Sequence, residues 1–232
     1  MVKATLHYFY DPLCGWCYAA SPLLQAAAAQ PQLSLQLHGG GMMSGVNRQS
    51  VTPALRDYVM PHDQRIAKMT GLSFGEAYFE GLLRDSSAVF DSTPPTAAIL
   101  AAEQLGLPAL EMLSVLQRAH YQRGLQIAKP EVLQQLAGEV GLPAAEFAAE
   151  LERQLDKVAA HTADSRLRMQ QAGLSGFPSL LLEQNGQWQR VDISPWLGQP
   201  QAFVAALLGE LAASGEDAAL LCTPESCTPP QA

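Results

Sequence analysis

The stretch Tyr8-Phe9-Tyr10-Asp11-Pro12-Leu13-Cys14-Gly15-Trp16-Cys17-Tyr18 limits the chain more than any other. An apolar, strand-like run enters it and a helix-forming run leaves it. Two thiols at C-x-x-C spacing on the first turn of a helix lie close enough to form a disulfide. The first thiol also sits where free N–H groups and the helix dipole favour a thiolate. The dipole supplies at most ~2 kcal/mol, which moves a thiol pKa by about 1.5 units. Reactive thiols of this spacing shift further. Direct N–H···S bonds from the amides of Trp16 and Cys17 are therefore expected. Cys14 reads as the exposed nucleophile and Cys17 as the buried resolving thiol. The spacing alone leaves three readings open: a redox pair, half of a zinc site completed by Cys222 and Cys227, or core packing.

Around this junction the chain reads as β-α-β. Residues 4–10 and 33–38 are strand-like, and a helix runs from near Cys14 to about Gln30 with Pro22 inside it. A crossover of that length implies parallel strands. Gly39-Gly40-Gly41-Met42-Met43-Ser44-Gly45 reads as a flexible loop. From about Thr52 to Ala172 the pattern is helical. Helices open at Thr52-Pro53, at a Ser73–Glu76 capping box, at Thr93-Pro94-Pro95, Pro108 and Pro130, and at Pro143, where one long helix runs to Gly173. Strands return at 179–183 and 188–192 around an Asn185-Gly186 turn, and a helix from about Gln199 to Leu211 follows. The expected organisation is α/β: a discontinuous domain of residues 1–50 and 174–213, a helical insertion of 51–173, and a tail of 214–232 carrying a C-x4-C pair.

Composition narrows the function. The 232 residues carry a net charge of −8 with no dense basic run, which speaks against nucleic acid and anionic membranes. No apolar run approaches the ~20 residues that span a bilayer. The N-terminus lacks the form of a secretory signal, so a cytoplasmic location is expected, or a periplasmic one if a signal was trimmed. Four cysteines are too few for a disulfide scaffold. Of the histidines, His7 and His38 fall on strands that could bring them toward the cysteines, although packed or surface positions are the commoner fate.

Gly176-Phe177-Pro178-Ser179, before a late strand, completes a pattern. With Cys14-Gly15-Trp16-Cys17 opening a helix that contains Pro22, the sequence resembles the thioredoxin superfamily and, within it, the DsbA family. The Gly-Gly-Gly-Met loop and the residues around the cysteines are most similar to the FrnE-like branch of disulfide isomerases. The resemblance implies a thioredoxin-like fold with an inserted all-helical domain. It implies thiol–disulfide exchange on protein or small-molecule disulfides, with no cofactor and no metal. A cellular thiol such as glutathione, or a thioredoxin system, would be the reductant. It makes Cys14 and Cys17 catalytic, Pro178 cis and facing them, and Trp16, Phe177 and Pro178 substrate-binding. Cys222 and Cys227 become an auxiliary redox pair. Many relatives carry a buried acid where this chain has Tyr8, and Asp11 or a water is the expected substitute. Two rivals stand beside this reading. One is a glutathione-dependent isomerase or transferase of the related kappa type, which typically has a serine at the nucleophile position. The other is a zinc-stabilised, non-enzymatic binding module.

Overall fold

The structure is a computed structural model and describes the backbone of residues 4–220 and the side chains of residues 4–211. Its centre is a four-stranded mixed sheet in the order β2-β1-β5-β6. β1 (Ala4–Tyr10) and β2 (Leu33–Gly39) are parallel, as the α1 (Gly15–Ala28) crossover requires. β5 (Ser179–Gln184) runs antiparallel to β1 and pairs with β6 (Gln187–Val191). Asn185 at φ 51° and Gly186 at φ 76° form the tight turn between them.

Side-chain alternation gives the sheet two faces. Leu6, Tyr8, Tyr10, Leu180 and Leu182 pack with α1 and with Phe203, Val204 and Leu207 of α8 (Pro200–Leu220). Phe9 and Leu181 point to the other face, against Met169 of α7 (Val158–Gln171). α8 is longer than expected and runs past Leu211 to Leu220.

The helical segment holds α2 (Pro53–Thr70), α3 (Thr93–Gln104), α4 (Ala109–Tyr121), α5 (Pro130–Glu139), α6 (Ala144–Leu155) and α7. Thr52 caps α2 by accepting a hydrogen bond from the Leu55 amide. The similar Leu-Gly-Leu-Pro and Val-Gly-Leu-Pro segments are helix stops of one kind. Gly106 and Gly141 take positive φ, and Leu107 and Leu142 donate back to Ala102 and Ala137.

Three expectations fail. The long helix from Pro143 breaks at Asp156-Lys157, which lets α6 pack on α3 while α7 turns across β2. The break leaves Leu155 38% exposed, although its stripe partners Phe147, Leu151 and Val158 are buried. No capping box forms at Ser73. The Gly75 amide donates to the Tyr121 carbonyl, and a Cβ on Gly75 would lie 1.9 Å from the Gln122 carbonyl oxygen. The chain there is pinned to the end of α4, and a π-type turn, Ala77–Gly81, follows instead. The segment also contains a short strand, β4 (Val89–Phe90), paired with β3 (Gln49–Ser50). No helix among the described residues is long and apolar enough to cross a membrane.

Candidate active site

Asp11 fixes the approach to the cysteines. It is fully buried and accepts hydrogen bonds from the Leu13 and Met42 amides and from the Ser92 hydroxyl. It therefore clamps the turn before Cys14 to the loop after β2 and to the start of α3. Burial raises its pKa while these three donors pull it back. With both carboxylate oxygens occupied, Asp11 is a structural clamp rather than a base for Cys17.

Cys14 is the N-cap of α1, with extended backbone, and its carbonyl accepts from the amides of Cys17 and Tyr18. The Cys17 N–H is thus committed to oxygen, and among the described residues no amide of Trp16 or Cys17 donates to the Cys14 sulfur. That sulfur instead donates to the Phe177 carbonyl at 3.6 Å. Both thiols are free. Cys14 is far less exposed than expected, at 6%, and Cys17 is at 0%. Cys14 opens into a cavity of about 340 Å³ that also touches Trp16, Met42, Met43, Asp63 and Tyr78. Burial pushes the Cys17 thiol well up, helped by its hydrogen bond to Cys14 and by the charge there. The Tyr8 hydroxyl donates to the Cys17 carbonyl, and burial holds this phenol protonated far above neutrality.

The Phe177–Pro178 bond is cis. The Phe177 ring lies on Gly40, where a Cβ would meet ring carbons at 1.9 Å and 2.2 Å. The Arg166 guanidinium stands over this ring, 4.7 Å from the centroid, and Arg166 also donates to the Gly40 carbonyl. The glycine loop is therefore held, not free: Gly40 donates to Tyr10, and Gly39 donates to the His161 ring. Gly40 has room for no side chain because Phe177 comes so close, whereas Gly39 faces Thr96 and His161 and Gly41 faces Thr162 and Ser44.

Trp16, Phe177 and Pro178 also line a second cavity, of about 500 Å³, with Arg65, Met69 and residues of β6. Arg65 stands over the Trp16 ring at 5.8 Å. His7 and His38 do not reach the cysteines. They sit on the α7 face of the sheet, hydrogen-bonded to each other at 3.0 Å, with His7 also on Glu183. Burial lowers His38 to about 4. Cys222 and Cys227 lie outside the described residues, as does any test of their pairing. Among the described residues no group of three His, Cys, Asp or Glu side chains could hold a metal ion.

Asp63, Tyr78, Arg65 and Arg166 escape a motif search. One signal was present: Asp63 falls on the apolar stripe of α2 formed by Leu55, Val59 and Ile66, where an acid is out of place.

The sequence profile of the DSBA-like thioredoxin domain matches residues 5–203. The chain belongs to the DsbA-like family. As a member of it, the protein is a thiol–disulfide oxidoreductase with the thioredoxin-like fold. Among solved structures, the cytosolic disulfide reductase DsbM from Pseudomonas aeruginosa is 52% identical, with TM-score 0.85, over 90% of this chain and 99% of that one. The structure of DsbM with GSH matches over the same shares at 50% identity and TM-score 0.83. A comparison with curated protein sequences finds no match.

Proposed function

We propose that this DsbA-like protein is a cytosolic disulfide reductase that draws its electrons from glutathione. Cys14 attacks the substrate disulfide, and Cys17 resolves the resulting mixed disulfide. One observation carries the reading. A wholly buried thiol held protonated, Cys17, lies directly behind a thiol that opens into a cavity, Cys14. Protonated, Cys17 does not compete for substrate, and it attacks only once Cys14 is in a mixed disulfide. Cys17 also favours two-thiol chemistry over the kappa-type alternative.

The substrate part that stays attached to Cys14 lies along Trp16 and the Phe177–Pro178 segment, in the cavity of about 500 Å³. Arg65, exposed and free of any ion pair among the described residues, supplies a cation there for a carboxylate such as those of glutathione. The relatedness to DsbM, solved with GSH, supports this choice of thiol. In this reading the helices of 51–173 are an inserted unit whose α2 walls the site. Protein disulfides and small disulfides are both candidate substrates.

The test is steady-state reduction of hydroxyethyl disulfide by glutathione. Wild-type protein should catalyse it and Cys14→Ser should not. Absence of turnover above the uncatalysed exchange, for this disulfide and for insulin, would end the proposal.

A further inference from the structure

Asp63 is 4% exposed and sits on the apolar face of α2. The Tyr78 hydroxyl donates to its Oδ2 at 2.7 Å. Its Oδ1 accepts no hydrogen bond among the described residues and faces the first turn of α1. A Cβ on Gly15 would lie 2.3 Å from it. Gly15 directly follows Cys14, and Asp63 and Cys14 line the same cavity. Asp11, with three donors, is locked by comparison. Asp63 has one oxygen anchored and one available beside the reacting sulfur. Other titratable groups around it are Tyr78, Tyr58 and His62, the Cys14 thiol, and Tyr121 of α4. Among the described residues no lysine or arginine lines the cavity.

We propose that Asp63 carries the proton for the thiol that leaves or enters at Cys14 through this cavity. The proposal rests on Cys14 being the nucleophile. When the Cys14 thiolate attacks R–S–S–R′, the bond from Cys14 to the R sulfur forms and the S–S bond breaks. The R′ thiolate leaves into the cavity and takes the proton of the Asp63 carboxyl group. Cys17 then attacks Cys14. The Cys14–Cys17 disulfide forms, and the R thiolate departs with the proton that Cys17 gives up. In the reset, a first reducing thiol enters by the same cavity and attacks Cys14. It passes its proton to the Asp63 carboxylate and displaces the Cys17 thiolate. A second thiol attacks that mixed disulfide, protonates Cys17 and frees the Cys14 thiolate. One disulfide is reduced to two thiols, and two thiols are oxidised to one disulfide. Burial raises Asp63 to about 7, so both of its forms are populated at neutral pH.

A proton donor matters when the leaving thiolate is basic and matters little when it is not. Reduced full-length protein is therefore mixed with two probes, hydroxyethyl disulfide and dithiobis-nitrobenzoic acid. The first releases a basic alkyl thiolate and the second a weakly basic aryl thiolate. Asp63→Asn should lower the alkyl-to-aryl rate ratio by on the order of 10²-fold. It should also remove a break near pH 7 from the alkyl rate profile. Tyr78→Phe should keep the break and move it to higher pH, because the Tyr78 hydroxyl holds the Asp63 carboxyl down. A structural defect would slow both probes together. An unchanged ratio in Asp63→Asn, or an unmoved break in Tyr78→Phe, overturns the role of Asp63. In Cys17→Ser, where no resolving thiol removes it, absence of the aryl label from Cys14 by mass mapping overturns the reading of Cys14 itself.

Discussion

The Tyr8 hydroxyl reaches 3.2 Å across the sheet–helix interface to the carbonyl oxygen of Cys17. Where many relatives of this fold place an acid, this chain places a phenol that stays protonated. Tyr8 is therefore a donor beside Cys17 and cannot act as a base for its thiol. Tyr8→Phe should cost about 1 kcal/mol of stability. The Tyr8 hydroxyl also interacts with the Cys17 side chain, and its loss should lengthen the lifetime of a Cys14 mixed disulfide about tenfold, since a donor to a charged group is worth roughly 1.5 kcal/mol or more. Rapid-quench mass measurement of the mixed disulfide checks this. An unchanged lifetime would leave Tyr8 as a support for α1 only.

The two buried aspartates should answer substitution with opposite signs. Asp11 holds three donors, so Asp11→Asn turns one acceptor into a donor facing N–H or O–H groups. It should destabilise by about 1–3 kcal/mol. Burial raises both carboxyls, but at Asp63 a single donor, Tyr78, offsets it. The folded pKa of Asp63, about 7, lies above the unfolded value near 3.8. Between those values the folded state holds a proton that the unfolded state releases, so stability falls as pH rises through the window. Above it the full penalty applies. Asp63→Asn removes the penalty, with a gain at pH 8 of at most about 4 kcal/mol and none below pH 4. Urea unfolding of both variants at the two pH values checks the signs. A stabilised Asp11→Asn, or an Asp63→Asn with no gain at pH 8, would contradict this account of the two carboxyls.

Gly40 links the glycine loop to the cis proline segment. Gly40→Ala drives a methyl into the Phe177 ring, which the Arg166 guanidinium also covers. The Phe177 carbonyl that meets the Cys14 sulfur must shift with the ring. The substitution should cost about 1–3 kcal/mol and slow exchange at Cys14. Gly138→Ala, inside α5 with nothing within 4 Å of the new methyl, should stabilise by about 0.5–1 kcal/mol. Thermal melts and exchange rates of the pair separate a crowded site from a general intolerance of alanine.

Much of this was legible in the chain. Strand and helix periods around Cys14, the Asn185-Gly186 hairpin and the Thr52 cap are local signals, and the structure has each where its residues place it. What was not legible depends on residues far apart in sequence. The helix from Pro143 carries no breaker at Asp156-Lys157, and its division follows from two packing partners, α3 and β2. Ser73-Phe74-Gly75-Glu76 has the letters of a capping box, yet the backbone of Gln122 sits against Gly75. The glycines at 39–41 read as slack because the side chains they make room for, Phe177 at Gly40, Thr96 and His161 at Gly39 and Thr162 at Gly41, come much later in the chain. Period-two alternation on β1 already separated His7 from Tyr8, and so from the cysteines.

The central claim is that Cys14 attacks and Cys17 resolves. Cys17→Ser protein, reduced and then exposed to glutathione disulfide, should gain a glutathione near its N-terminus, whatever forms on Cys222 and Cys227. The adduct should map to Cys14, persist without added thiol, and be absent from Cys14→Ser treated in the same way. Stable glutathione on Cys17 in Cys14→Ser, or no adduct on Cys14 in Cys17→Ser, would contradict the assignment.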